Sequence, residues 1–170
     1  MTRYADCPTV SVDVVIRASA ADVWALVSDI TLPTRFSSEL VAVEWVGGDA
    51  SPRSGARFAG RSRHGAIGGW QTECVITAFD PPHRFEWCVG DPERPSSIWR
   101  FTVAEVGDRP GSVRLAQWFQ MGPARSGLNA AIDAMPDKEE RIVARRLDEH
   151  RANMEANLAG IARLLEAGGS

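Results

Sequence analysis

The chain has 170 residues, of which 44% are hydrophobic and 24% charged, with a formal net charge of −3. That length suits one domain over residues 1–170 with a core of its own, and the charge balance disfavours a nucleic-acid binder, which would carry a strong basic excess. No run nears the roughly 18 to 20 apolar residues of a membrane span, and "MTRYADCPTV" lacks the layout of a signal peptide. A cytoplasmic location without integral membrane contact is expected. Cys7, Cys74 and Cys88 are odd in number and lack C-x-x-C spacing, so neither a disulfide framework nor a zinc site is indicated. His64, His83 and His150 have no metal-ligand spacing, and "GAIGGW" lacks the lysine and following helix of a phosphate loop. No metal and no cofactor are expected, and oligomeric state is left open.

In chain order, "TVSVDVVIRA" alternates, with Val10, Val12, Val14 and Ile16 on one face, as a half-buried strand does. "SAADVWALVSDI" switches to helical period with Ser19 as N-cap and Val23, Trp24 and Val27 inward. Pro33 interrupts, and "LPTRFSS" predicts a second short turn of helix. Six strands follow: "ELVAVEWV", "GARFAGRSRH", "WQTECVITAF", "RFEWCV", "SIWRFTVAEV" and "SVRLAQWFQM", separated by glycine, proline and aspartate turns. Residues 122–136 read as a loop with about one helical turn in "SGLNAAIDAM". A long helix is predicted from Pro136-Asp137 to Gly168. Sequential strands with short turns imply an antiparallel sheet, and segregated helices imply an α+β fold.

Strand parity assigns the inward faces. "RFAGRSRH" sends Phe58, Gly60, Ser62 and His64 inward and its arginines outward. Trp70, Thr72, Cys74 and Ile76 follow on the next strand, then Phe85, Trp87 and Val89, then Trp99, Phe101 and Val103. The last strand turns Val113, Leu115, Gln117, Phe119 and Met121 inward. On the long helix, Val143, Leu147, Met154, Leu158, Ile161 and Leu165 form one apolar stripe, interrupted by His150. Either His150 is a satisfied core residue or the stripe faces something other than a solid core. Scattered polar groups on an apolar face are the usual make-up of a small-molecule site, and a buried imidazole needs a partner that the neighbouring sequence does not offer.

The segments "IRASAADVWALVSDITLPTRFS", "GARFAGRSRHG", "WQTECVITAFDPPHRFEWCV", "SIWRFTV" and "RANMEANLAGIARLLE" resemble, in that order, the START-like (SRPBCC) superfamily and its polyketide cyclase/dehydrase branch. The resemblance covers nearly the whole chain. It implies a helix-grip fold: a curved seven-stranded antiparallel sheet wrapped around a long C-terminal helix, with two short helices after the first strand. It also implies a deep apolar cavity between sheet and helix, in which members bind lipids, sterols, polyketides or hormones and some act as aromatase/cyclases.

The expected ligand is accordingly a hydrophobic small molecule, lipid- or polyketide-like. Its site is drawn from Phe58, His64, Trp70, Thr72, Cys74, Phe85, Trp87 and Trp99 on the early strands. Phe101, Leu115, Gln117, Phe119, Leu147, His150 and Met154 complete it. The alternative is a polyketide aromatase/cyclase or dehydratase with Gln117, His64 and His150 as catalytic candidates. The resemblance supports Gln117, because the family's cyclases carry a cavity glutamine in the matching place. It also exposes a departure: the cyclases carry a cavity arginine on the strand matching "WQTECV", where this chain has Cys74. A thiol offers neither five N–H donors nor a permanent charge. Arg35 could approach from "LPTRFS", although a solvated arginine is the plainer reading. As a nucleophile Cys74 would need a base beside it and a lowered pKa. The stretch "DKEERIVARRLDEHR" reads as a solvated face with helical Glu-to-Arg pairs. The cavity mouth is expected between "LPTRFSS", "HGAIGGW" and residues 122–136, where small and turn-forming residues concentrate.

Overall fold

The computed structural model describes residues 2–168. Seven strands make one sheet: β1 (Thr9–Ile16), β2 (Leu40–Trp45), β3 (Arg57–His64), β4 (Gly68–Asp80), β5 (Arg84–Val89), β6 (Ser97–Glu105) and β7 (Val113–Met121). The α-helices among the described residues are α1 (Ala20–Val27), α2 (Leu128–Ala134) and α3 (Glu139–Gly168), with 3-10 turns at Tyr4–Asp6, Leu32–Arg35 and Pro136–Lys138. This is the helix-grip arrangement. The loop expected at 122–136 holds more helix than one turn, because the Leu128 amide donates to Ser126 Oγ and Asn129 Oδ1 accepts from the Ser126 amide, organising the start of α2. No described helix is long and apolar enough to cross a membrane.

All neighbouring strands are antiparallel, in the order β1-β7-β6-β5-β4-β3-β2. Strands β2 to β7 form a meander, while β1 pairs with β7 at the far edge. The chain leaving β1 must therefore cross one face of the sheet before it can begin β2. Helix α1 and the Leu32–Arg35 turn make that crossing. Ser19 Oγ caps α1 by accepting from the Asp22 amide at 3.1 Å, and Val23, Trp24 and Val27 are buried beneath it. The β2–β3 connection turns at Gly47 and Gly48, whose φ values of +68° and +85° suit glycine and strain other residues.

Register sorts the inward side chains into cross-strand rows. One row runs Phe58, Cys74, Val89, Ser97, Met121; the next runs Ile76, Trp87, Trp99, Phe119, Val10. A third holds Phe85, Phe101, Gln117 and Val12, and a fourth Val103, Leu115 and Val14. In the fourth row Val103 and Leu115 are buried in the main core with Val23 and Val27 of α1, and Val14 packs against it partly buried. Helix α3 rests chiefly on β1 and buries Val143, Met154, Leu158 and Ile161. Two acidic residues, Glu139 and Glu140, occupy its first turn, where the helix dipole favours negative charge.

The segment after the Leu32–Arg35 turn runs along α3 and meets it at three positions seven residues apart. Phe36 lies over Gly160, the Ser38 amide donates to Asn153 Oδ1 at 3.0 Å, and Glu39 pairs with Arg146. Seven residues are almost two helical turns, so the three partners form one stripe. A Cβ on Gly160 would sit 2.5 Å from the Phe36 ring. Gly160→Ala is expected to destabilise the protein by about 1 to 3 kcal/mol through overpacking, despite alanine's better helix propensity. Denaturant unfolding measures it; a neutral or stabilising effect would show that Phe36 moves freely.

Candidate functional site

Between rows one to three of the sheet and the inner face of α3 lies a cavity of about 510 Å³, within the range of small-ligand sites. Phe58, Trp70, Thr72, Cys74, Phe85 and Trp87 line it from β3, β4 and β5. Trp99, Phe101, Gln117 and Phe119 add the central strands, and His150 and Met154 face them from α3. The aromatic wall is a direct product of register. Trp87 and Trp99 are cross-strand partners with ring planes 6° apart and centroids 6.3 Å apart, and Phe119 follows at 4.5 Å from Trp99.

Three residues assigned to the site stand outside it. Leu115 faces inward, but in the fourth row, beneath the cavity floor and fully buried in the core. Leu147 packs against the core instead, since it lies one residue, about 100°, around the helix from Arg146, which does face the cavity. His64 sits at the end of β3, where the strand has run past the cavity and meets the charged side of α3. Its Nε2 is 3.4 Å from Glu149 Oε1 and 3.9 Å from Glu39 Oε1, and its Nδ1 accepts from the Ala66 amide. Arg35 is exposed, its guanidinium 5.6 Å from the Phe36 ring centroid, and does not line the cavity.

The cation of the cavity is Arg146, placed above on a solvated face and found here only 12% exposed. Its Nη1 donates to Glu39 Oε1 at 2.5 Å and to Glu149 Oε2 at 2.8 Å, and its Nη2 to Glu39 Oε2 at 2.9 Å. The guanidinium carbon is 5.9 Å from the Trp70 ring centroid. Burial alone would lower the arginine's pKa, but hydrogen bonds to the two carboxylates outweigh it and raise the value. Burial works on Glu149 in the opposite sense, and the Arg146 hydrogen bond and charge hold it below the usual carboxylate range. Glu39, His64 and Glu149 bring one donor atom each within 4.8 Å of one another; the Arg146 guanidinium is bonded to both carboxylates. Arg146 and Glu39 are 107 residues apart, so no local pattern marks the pair. A signal was nevertheless present: Arg146, His150, Asn153 and Asn157 recur at helical spacing, a polar row running beside the apolar stripe.

Deeper in, Gln117 is 2% exposed and its Oε1 accepts from Asn157 Nδ2 at 3.5 Å, a weak bond. Asn157 Oδ1 is buried without a hydrogen-bond partner. Among the described residues, neither Gln117 Nε2 nor the His150 ring has a protein hydrogen-bond partner. The His150 ring centroid is 4.3 Å from that of Phe119 and 5.1 Å from that of Trp99. Burial, reinforced by the Arg146 charge, pushes its pKa down to about 3. Burial pushes the Cys74 thiol up to about 12, so it is protonated and a poor nucleophile at neutral pH.

His150 makes stability depend on pH. Unfolded, the imidazole takes a proton near pH 6.5, whereas folded it resists until about pH 3; the unfolded state binds more protons across that window. Stability should fall as pH drops from 6.5 toward 3, by up to about 1.4 kcal/mol per pH unit from this group. His150→Gln should flatten the curve between pH 6.5 and about 4.5, above the range where Glu149 contributes. An unchanged slope there, or an imidazole titrating near 6.5 by NMR, would contradict the assignment.

The model of the family described as "Polyketide cyclase / dehydrase and lipid transport" matches residues 8–166. No curated protein matches. Among solved structures, a Polyketide_cyc-like protein of Corynebacterium glutamicum, Cgl2372, is 27% identical with a TM-score of 0.64, covering 94% of this chain and 92% of that one. The di-domain ARO/CYC BexL of the BE-7585A biosynthetic pathway is 20% identical with a TM-score of 0.65, over 94% of this chain and 50% of that one, so the match spans about half of it. A START superfamily protein of Mycobacterium smegmatis gives 14% identity and a TM-score of 0.59, over 92% and 98% of the two chains. The last two share the fold.

Proposed function

The chain belongs to the polyketide cyclase/dehydrase and lipid transport family of the START-like superfamily, and from that premise we propose that it binds a hydrophobic, ring-containing small molecule in the cavity between sheet and α3. One observation carries the reading. The void of about 510 Å³ is walled by tryptophan and phenylalanine, and Gln117 Nε2 and the His150 ring have no protein hydrogen-bond partner among the described residues. Apolar walls supply affinity through area removed from water, and two or three polar groups orient the ligand. A void of this size lined by large side chains is costly to leave empty, since its lining forgoes packing contacts. Occupancy offsets that loss.

The second reading is a cyclase or dehydratase acting in the same place, and Arg146 favours it, because it supplies the cation that Cys74 cannot. Two features weigh against it. A general base works best with a pKa near the operating pH, and that of His150 is several units too low. Arg146 is held by two carboxylates, which oppose its use against a developing oxyanion. Binding therefore ranks first.

Gln117→Leu separates the two readings. For a binding protein, losing an orienting hydrogen bond should weaken a hydrophobic ligand by about 1 kcal/mol, with no turnover to lose. For a cyclase, losing a donor at the developing oxyanion should slow turnover of a poly-β-ketone about a hundredfold with little change in binding. Titration calorimetry alongside product analysis distinguishes the outcomes. Turnover by the native protein with that hundredfold loss would replace the binding reading.

A portal test follows from the lining. Pro33 and Ser37, Ile67, and Ser126 to Leu128 contribute to the cavity from the three segments expected at its mouth. Amide exchange in those segments should slow when a neutral hydrophobic probe is added, while exchange in β6 stays constant. Equal protection with and without probe would place access elsewhere.

A further inference from the structure

Resting on the binding reading above, we propose that the cavity selects electrically neutral ligands carrying oxygen acceptors, such as alcohols, ketones or phenols, and rejects anions such as fatty-acid carboxylates. The argument is one of charge placement. Of the residues lining the cavity, those with formal charge are Asp29, Glu39 and Arg146, two acids and one base. The single base is already engaged. Glu39 grips Arg146 through both terminal nitrogens, and Glu149 takes a further hydrogen bond from Nη1. Arg145 and the His64 ring border the cluster only through Glu149 and Glu39.

An incoming carboxylate would either displace Glu39 from Arg146, leaving that buried carboxylate unpaired, or take the remaining N–H donors beside the negative charges of Glu39 and Glu149, and both exchanges are strongly unfavourable. Moving deeper brings no relief. The groups there are the amides of Gln117 and Asn157 and the His150 imidazole, and the aromatic rings between present faces that repel negative charge. A neutral oxygen meets none of these penalties. Three of the five N–H donors of Arg146 are occupied in the structure, and Gln117 Nε2 has no protein partner among the described residues. A ketone or hydroxyl can accept from either without introducing charge.

Two fluorescent probes with one skeleton isolate the variable: N-phenyl-1-naphthylamine, neutral, and 8-anilino-1-naphthalenesulfonate, which adds a sulfonate. At near-physiological salt the wild-type protein should bind the amine at least about tenfold tighter, with any sulfonate bound in the cavity displaced by the amine. Glu39→Gln and Glu149→Gln keep side-chain shape while releasing Arg146, and each should narrow the ratio several-fold by strengthening sulfonate binding. A sulfonate signal that the amine does not displace lies on the surface and counts as exclusion from the cavity. Equal or tighter cavity binding of the sulfonate by the wild type overturns the proposal. So does a ratio unmoved in both variants, with circular dichroism confirming that they fold. Failure of both probes to bind would instead overturn the cavity reading itself, which keeps the two failures apart.

Discussion

A seven-stranded sheet presents more inward surface than one helix can cover, and the rest of this molecule follows from that mismatch. The four cross-strand rows of the inner face reach from β3 to β1, whereas α3 rests chiefly on β1. Helix α1 closes the row of Val103 and Leu115 and makes solid core there. The rows of Trp87, Trp99 and Phe119 and of Phe85, Phe101 and Gln117 receive only the edge of α3, at His150, Met154 and Asn157. The gap left between is the cavity. Its existence is thus a matter of topology: the strand that pairs last with β7 is the first in the chain, and the crossing it forces delivers α1 to one end of the face only.

The same geometry explains why α3 has a mixed inner surface. Residues over β1 and α1 are in ordinary core and are apolar: Val143, Leu158 and Ile161. Those facing the void or the segment Phe36–Glu39 are Arg146, His150, Asn153 and Asn157; Arg146 and Asn153 have partners in Glu39 and the Ser38 amide, and Asn157 Nδ2 donates to Gln117, while Asn157 Oδ1 and the His150 ring have none among the described residues. Burying an arginine without a counter-charge would be prohibitive; burying it against Glu39 and Glu149 is not. Yet that pairing also opposes use of the arginine as a site for anions, so the structural solution and the proposed ligand preference come from one arrangement.

Fold and wall were legible in the sequence because strands keep a period of two whether they face cavity or core, apart from the register shifts between Leu40 and Ala42 and between Ile76 and Ala78. Parity alone placed Phe58, Trp70, Trp87, Trp99 and Phe119 on one face, and the register confirms it. Parity says nothing about depth, which is why Leu115 could not be told from Gln117: both point inward, one row apart. Depth depends on what covers the sheet, and that is set by α1 and α3 from elsewhere in the chain.

Helical charge was the harder signal. In "DKEERIVARRLDEHR" the acid and base spacings of three and four residues are those of a solvated helix face, and Arg145 does fit that description, with a side chain 74% exposed. Arg146 does not, and the difference between adjacent arginines is 100° of helix rotation combined with a glutamate 107 residues away. The one mark along the helix is that Arg146 shares a row with His150, Asn153 and Asn157. His150 was different, because it interrupted the apolar stripe itself rather than flanking it, and an interruption in a buried stripe requires either a partner or a space. Having no protein partner among the described residues and an imidazole held neutral, it has the space. That conjunction, a polar side chain on an apolar stripe with no partner in reach, is a stronger mark of a ligand cavity than any single residue type, because close-packed cores do not tolerate it.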